Sequence, residues 1–198
     1  MQKISDALVE KIRLYTQGAV KASRYEHSVR VAQTAKMMCE RYSLDAEKGY
    51  LAGLSHDMCK DLDDLLLLSF AERDGYPISK VEEKKPALLH GRAAAVKLKE
   101  SFGIDDEEIL EAVRWHTFGG ENLCALSKVI YAADKIEPGR PNSSPEYVEE
   151  LLEKSLDALC LTVVEENLEY LRKKGKEVAP VTLKFRDALK MNVKEESE

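Results

Sequence analysis

Residues 51–61 read LAGLSHDMCKD, and the adjacent pair His56 and Asp57 at the centre of this run decides how the rest of the chain is read. The stretch from Ala46 to Leu54 that leads into the pair is mostly apolar and of helical length. It therefore carries an imidazole and a carboxylate to the end of a core-facing helix. Burying both against an apolar face is costly unless each finds a partner. A metal ion is the simplest partner that satisfies the two together.

Working outward, a periodic run from about Ser23 to Tyr42 carries His27. Steps of four and three from it reach Val31, Ala35 and Met38, so this histidine extends the apolar stripe. Ser23 with Glu26 has capping-box spacing at the start of that helix. Residues 4–14 form an earlier amphipathic segment, ended by Gly18. Asp45 is placed to cap the helix leading to His56. Asp61 is placed to cap the next, LDDLLLLSFAER, whose Leu65 to Leu68 are expected to face the core. Residues 79–85 are polar and lysine-rich, a surface connection. Pro86 suits the first turn of a helix that carries His90 among Ala87, Ala94 and Leu98 and stops at Gly103. Asp105 and Glu108 repeat the capping spacing for a helix that ends at His116, behind Ala112 and Val113. A further helix from Leu123 to about Ile136 puts Asp134 near its C-terminus, where the dipole disfavours a carboxylate and a cation would compensate.

Beyond the stiff turn Pro138-Gly139-Arg140-Pro141, Ser144 and Pro145 open a new helix. Two long amphipathic stretches follow, broken by Gly175 and Pro180. They hold no histidine and are assigned to packing. Residues 195–198 read as a frayed tail. No stretch alternates like a strand, so the expected fold is all-α with about nine or ten helices. The expectation is one domain over 1–198, with a metal-binding core at about 20–140 and packing helices at 145–192.

The net charge is −6 with acids and bases interspersed, which leaves no broad basic field for nucleic acid or an anionic membrane. The cysteines, Cys39, Cys59, Cys124 and Cys160, fall singly and read as reduced apolar packers. The N-terminus, MQKISDALVEKIR, is charged throughout, and no run reaches the roughly eighteen apolar residues of a membrane span. A cytoplasmic location is expected. The apolar C-terminal helices could cover a second copy in a homodimer, although nothing in the sequence demands one.

Candidate ligands are thus His27, His56, Asp57, His90, His116 and Asp134, a set that includes all four histidines of the chain. Imidazole with carboxylate suits iron, manganese, cobalt, nickel or zinc rather than magnesium or calcium. Six ligands are too many for one ion that must also hold water and substrate. Two ions sharing Asp57, roughly 3.5–4 Å apart, would use them all.

A histidine, a His-Asp pair near a helix end and a distant aspartate are similar to the HD-domain metal-dependent phosphohydrolases. The two extra histidines look like the dinuclear branch of that superfamily. More specifically, HSVRVAQTA, LAGLSHDMCKDL, LLHG, WHTFGG and YAADKIEPGRP together resemble the YqeK family of symmetrical bis(5'-nucleosyl)-tetraphosphatases over nearly the whole chain. The resemblance implies an iron hydrolase that splits diadenosine tetraphosphate into two ADP. It also implies that His27, His56, Asp57 and Asp134 hold one ion and that Asp57, His90 and His116 hold the other. The chain departs from the family pattern at Met58, Cys59, Ala94 and Phe118, none of them a ligand.

On this reading the nucleophile is a hydroxide bridged between the metals, with Asp57 as the shared ligand. Cations must then meet the charge on the departing ADP. Lys60, one turn beyond His56, is the first candidate, with a catalytic role; Arg24, one turn before His27, is the second. Arg140 could fork onto a phosphate, while Arg92 and Lys135 read as ordinary solvated or salt-bridged charges. Thr117 and Tyr131 are expected to offer hydroxyls, and His90 to border the substrate. Two other readings remain open from sequence: an HD phosphohydrolase for nucleoside monophosphates, cyclic dinucleotides or alarmones, and a non-catalytic nucleotide-sensing module.

Overall fold

The computed structural model of the chain describes residues 4–196. Among the described residues there is no strand, and eleven α-helices follow one another: α1 (Asp6–Ala19), α2 (Ala22–Arg41), α3 (Ala46–Ser55), α4 (Asp64–Ala71), α5 (Lys80–Lys84), α6 (His90–Phe102), α7 (Glu107–Trp115), α8 (Ala125–Ile136), α9 (Pro145–Leu152), α10 (Leu156–Lys173) and α11 (Pro180–Glu195). A 3-10 turn, Pro86–Leu89, leads into α6.

The fold class is the expected one, with more helices than expected because two short segments carry caps of their own. Ser79 and Glu82 form a full capping box, and it turns the expected surface connection into α5. Ser155 accepts the Ala158 N–H and starts α10, so the stretch after Pro145 is two helices rather than one. Asp45 and Ser144 cap α3 and α9 as expected, and Gly103, at φ 67°, ends α6. Other caps are displaced. Helix α2 starts at Ala22 without a side-chain cap, leaving Ser23 and Glu26 inside its first turns. Asp63, not Asp61, caps α4, and Asp61 instead accepts the Lys21 N–H at 2.8 Å. Asp106, not Asp105, caps α7. Helix α1 runs one residue past Gly18. Of the expected tail, Glu195 closes α11, whereas 197–198 lie outside the described residues.

Helix α8 lies at the centre, with Val129, Ile130, Tyr131, Ala132 and Ala133 all fully buried against α2, α3, α7 and α10. The C-terminal helices spend their apolar faces inside the chain. Leu159, Val163, Val164, Leu168, Phe185 and Leu189 join one core with Val31, Met38, Leu51 and Leu98. These side chains pack within the chain. Helix α4 rests on Leu67 and Ala71, one turn apart. Leu65 and Leu66, expected to face the core, are instead 79% and 46% exposed, because a two-turn helix lying on a single stripe cannot turn four consecutive leucines inward. No helix among the described residues is long and apolar enough to cross a membrane.

Close backbone approach at two glycine contacts positions the site. Helices α2 and α3 meet through Gly49 and Gly53, four residues apart on one face. A Cβ at Gly53 would lie 2.7 Å from the Cα of Ala32. Gly119, at φ 75°, lets the loop after α7 lie against the Phe185 ring of α11, where a Cβ would sit 2.2 Å from Cδ1. Because the Gly53 neighbour is backbone, Gly53→Ala must push α2 and α3 apart. We expect it to lower the stability by about 1–3 kcal/mol, read as an earlier urea midpoint at an unchanged slope.

Candidate metal centre

All four histidines arrive at one place, three of them by a local rule. The last carbonyls of a helix lack a helical N–H partner, so a side chain at the boundary can take one. His56 follows the last residue of α3 and holds the Gly53 carbonyl through Nδ1 at 2.7 Å. His116 follows the last residue of α7 and holds that of Val113 at 2.8 Å. His90 opens α6 and holds that of Ala87 in the preceding 3-10 turn at 2.8 Å. His27 sits inside α2, where the neighbouring carbonyls are in use. Its Nδ1 turns to Glu137 Oε1 at 3.1 Å. In each case Nδ1 is occupied and Nε2 is left to face the others.

The Nε2 atoms converge on Asp57 and Asp134. His27 Nε2 is 3.1 Å from Asp134 Oδ1 and 3.9 Å from Asp57 Oδ2, and His56 Nε2 is 3.8 and 3.6 Å from the same two oxygens. The other oxygen of Asp57, Oδ1, faces His90 Nε2 at 2.9 Å and His116 Nε2 at 3.7 Å. Two triads, His27–His56–Asp134 and His56–Asp57–His116, each bring ligand atoms within 4.8 Å of one another. The second borrows His56 from the first, so the two sets are contiguous. His27 Nε2 and His56 Nε2 are buried without a hydrogen-bond partner. Four imidazoles and two carboxylates, with lone pairs turned inward and two nitrogens unpartnered, are the donor set of a transition-metal site. The residues fit a metal.

Electrostatics agree. Burial pushes His56 down to about 4, so the ring is neutral and its nitrogen free to donate electrons. Burial lowers His116 likewise. For Asp57, burial works to raise the carboxyl, but the surrounding imidazoles, His56 first and then His116 and His90, outweigh it and hold it well below the usual range. Asp134 follows the same pattern, with Lys135 and His27 opposing burial. Both aspartates are ionised at the centre of the site.

Three basic residues edge the cluster. Arg24 donates to Asp57 Oδ2 at 2.8 Å. Lys60 Nζ lies 3.0 Å from His90 Nε2 and 3.8 Å from Asp57 Oδ1. Arg140 donates to the Asp134 carbonyl at 2.7 Å and to its Oδ1 at 2.6 Å. Their side chains remain 30–37% exposed, at a rim. Thr117 Oγ1 stands 3.4 and 3.3 Å from His90 and His116 Nε2. Tyr131 corrects the sequence expectation. It is fully buried, its ring packs on Phe185, and its hydroxyl accepts from Asn167, so it belongs to the core rather than to a substrate surface. Arg92 is buried too, forked onto Asp74 and bonded to the Ala71, Tyr76 and Pro77 carbonyls, where it pins the chain between α4 and α6. Lys135 donates to the His116 and Tyr131 carbonyls and to Asp134 Oδ2. Cys59 is buried, its thiol pushed up to about 12 by burial, and it is not a member of either triad. Sequence reasoning missed Glu137 and Arg30. The available signal was the spacing of Glu137, three residues after Asp134 and so on a neighbouring position of the same helix end.

The HD domain family matches residues 24–139. A symmetrical bis(5'-nucleosyl)-tetraphosphatase of Bacillus subtilis is 33% identical over 159 residues, 80% of this chain and 85% of that protein. One from Staphylococcus aureus is 37% identical over 67% of this chain and 68% of the relative. The chain belongs to the HD-domain family, in its symmetrical bis(5'-nucleosyl)-tetraphosphatase branch. As a member of that branch it is a hydrolase. The fold is also similar to the crystal structure of a predicted HD superfamily hydrolase involved in NAD metabolism from Clostridium acetobutylicum. That chain is 32% identical with a TM-score of 0.85, over 92% of this chain and 97% of that one. The matched HD segment ends at Gly139, so α9 to α11 lie outside it.

His56 makes the stability of the fold depend on pH. The unfolded ring takes a proton near its ordinary 6.5, whereas the folded one refuses it until about 4. The contribution of this ring is therefore fully present above about 6.5 and lost as the pH falls toward 4, by up to ~3 kcal/mol. Urea melts in the presence of a chelator should show that decline, and His56→Gln should make it shallower, with His116 supplying part of what remains. Stability independent of pH across this window would contradict the assignment of a neutral buried ring.

Proposed function

We propose that this HD-domain protein hydrolyses diadenosine tetraphosphate symmetrically to two ADP at a centre of two metal ions. The observation that carries the reading is the divided environment of Asp57. One of its oxygens faces His27 and His56, the other His90 and His116. A shared carboxylate with a separate imidazole pair on each side is what two adjacent ions require. The relatives' names supply the substrate class.

His27, His56, Asp57 and Asp134 would hold one ion and Asp57, His90 and His116 the other, with iron as the metal the resemblance favours. Two such ions supply Lewis-acid charge and bring a water's pKa toward neutrality. The chain's own residues do the rest. Arg24, Lys60 and Arg140 keep one side on a ligand carboxylate or imidazole and the other toward solvent, so a polyphosphate lying over the cluster meets fixed positive charge. Symmetric cleavage leaves a terminal phosphate oxygen on each ADP. Lys60, which approaches Asp57 Oδ1 and His90 together, is placed to meet the charge that builds there. Thr117 adds a hydroxyl beside the same histidine.

The protein purified anaerobically and supplied with ferrous iron should convert diadenosine tetraphosphate into ADP alone on anion exchange. ATP with AMP as products would overturn the symmetric reading, and no turnover would favour another nucleotide substrate of the HD family. Asp57→Ala should lose bound metal and activity together. Lys60→Ala should keep its metal, measured by elemental analysis, and lose about 10²–10³-fold in turnover.

A further inference from the structure

We propose that Glu137 is a positioning residue that sets which nitrogen of His27 is offered to the metal, and that Arg30 and the Gly139 N–H hold it in that role. The inference rests on the metal-centre reading but not on the identity of the substrate. His56, His90 and His116 are oriented by main-chain carbonyls three residues earlier, an arrangement that forms whenever their helix ends form. His27 has no such local anchor. Its Nδ1 depends on a carboxylate 110 residues further along the chain.

The surroundings of Glu137 are built for one orientation. The residue is 1% exposed. Its Oε2 accepts from Arg30 Nε at 2.5 Å and from the Gly139 N–H at 2.6 Å, which leaves Oε1 to face His27, with Arg30 NH2 at 3.4 Å. Every group pointed at the carboxylate is a donor. The carboxylate can only accept, so His27 must carry its proton on Nδ1 and present a bare Nε2 to Asp57 and Asp134. Gly139 completes the fit, since a Cβ there would lie 2.5 Å from Arg30 NH2. The same turn ends at Arg140, which grips Asp134. One short segment thus orients two ligands contributed by different helices.

Glu137→Gln is the discriminating variant, because it keeps the shape and reverses one hydrogen bond. Arg30 and the Gly139 N–H demand the amide oxygen, which turns the amide NH2 toward His27 Nδ1 and favours the tautomer whose Nε2 carries a proton. Cobalt(II) titrated into the full chain against a chelator should bind about 10–100-fold more weakly to the variant, with an altered d–d spectrum. On the zinc-loaded wild-type protein, long-range 1H–15N spectra should show His27 protonated at Nδ1 and metal-bound through Nε2. This second measurement needs no variant to fold. A wild-type His27 bound through Nδ1, or a folded Glu137→Gln protein with cobalt affinity within twofold of wild type, would overturn the proposal. Neither readout involves hydrolysis, so a failure of the substrate assignment would leave them intact.

Discussion

Asp57 is a carboxylate held almost wholly out of water, and the rest of the site can be understood as what makes that burial tolerable. Each of its oxygens is met from a different side, Oδ2 by Arg24, His27 and His56, Oδ1 by His90, His116 and Lys60. Remove the convergence and a buried charge is left without compensation, an error worth several kcal/mol. The helices are arranged around that requirement. Five of them, α2, α3, α6, α7 and α8, carry or end at a candidate ligand, and the glycines of α3 allow the close approach that brings His27 and His56 to ring centroids 5.2 Å apart.

The way the ligands are mounted also explains the rigidity the chemistry needs. A histidine at a helix end is held twice, by its backbone and by a free carbonyl, so its Nε2 is aimed before any ion arrives. Helices α10 and α11 contribute at one remove. Phe185 supports both Tyr131 inside α8 and the turn at Gly119, and Thr117 belongs to that same loop. The C-terminal helices, outside the matched HD segment, thereby reach the edge of the candidate metal centre without supplying one of its side chains.

Much of this was legible in the sequence, and the reasons for the rest are physical. Helical periodicity put His27 on the buried face, and an apolar helix ending in His56 and Asp57 demanded a partner. Both signals depend only on burial, which single-chain patterning reports well. Caps were less legible, since Asp61 or Asp63, and Asp105 or Asp106, differ by one or two residues that only the final chain path separates. Tyr131 was misplaced because one turn from a ligand says nothing of which neighbour covers a hydroxyl, and here Asn167 of α10 does. Glu137 was missed because its role is tertiary, spanning from the end of α8 to the middle of α2. Arg92 and Lys135 were read as ordinary solvated or paired charges, and paired they are, with Arg92 buried rather than at the surface.

The proposed function rests on one aspartate serving two ions. Anomalous diffraction at the iron edge, on crystals of the full chain loaded anaerobically, measures this directly. Two peaks about 3.5–4 Å apart are predicted, with Asp57 between them, His27, His56 and Asp134 around one and His90 and His116 around the other. A single peak bound by His27, His56, Asp57 and Asp134, with His90 and His116 unligated, would contradict it.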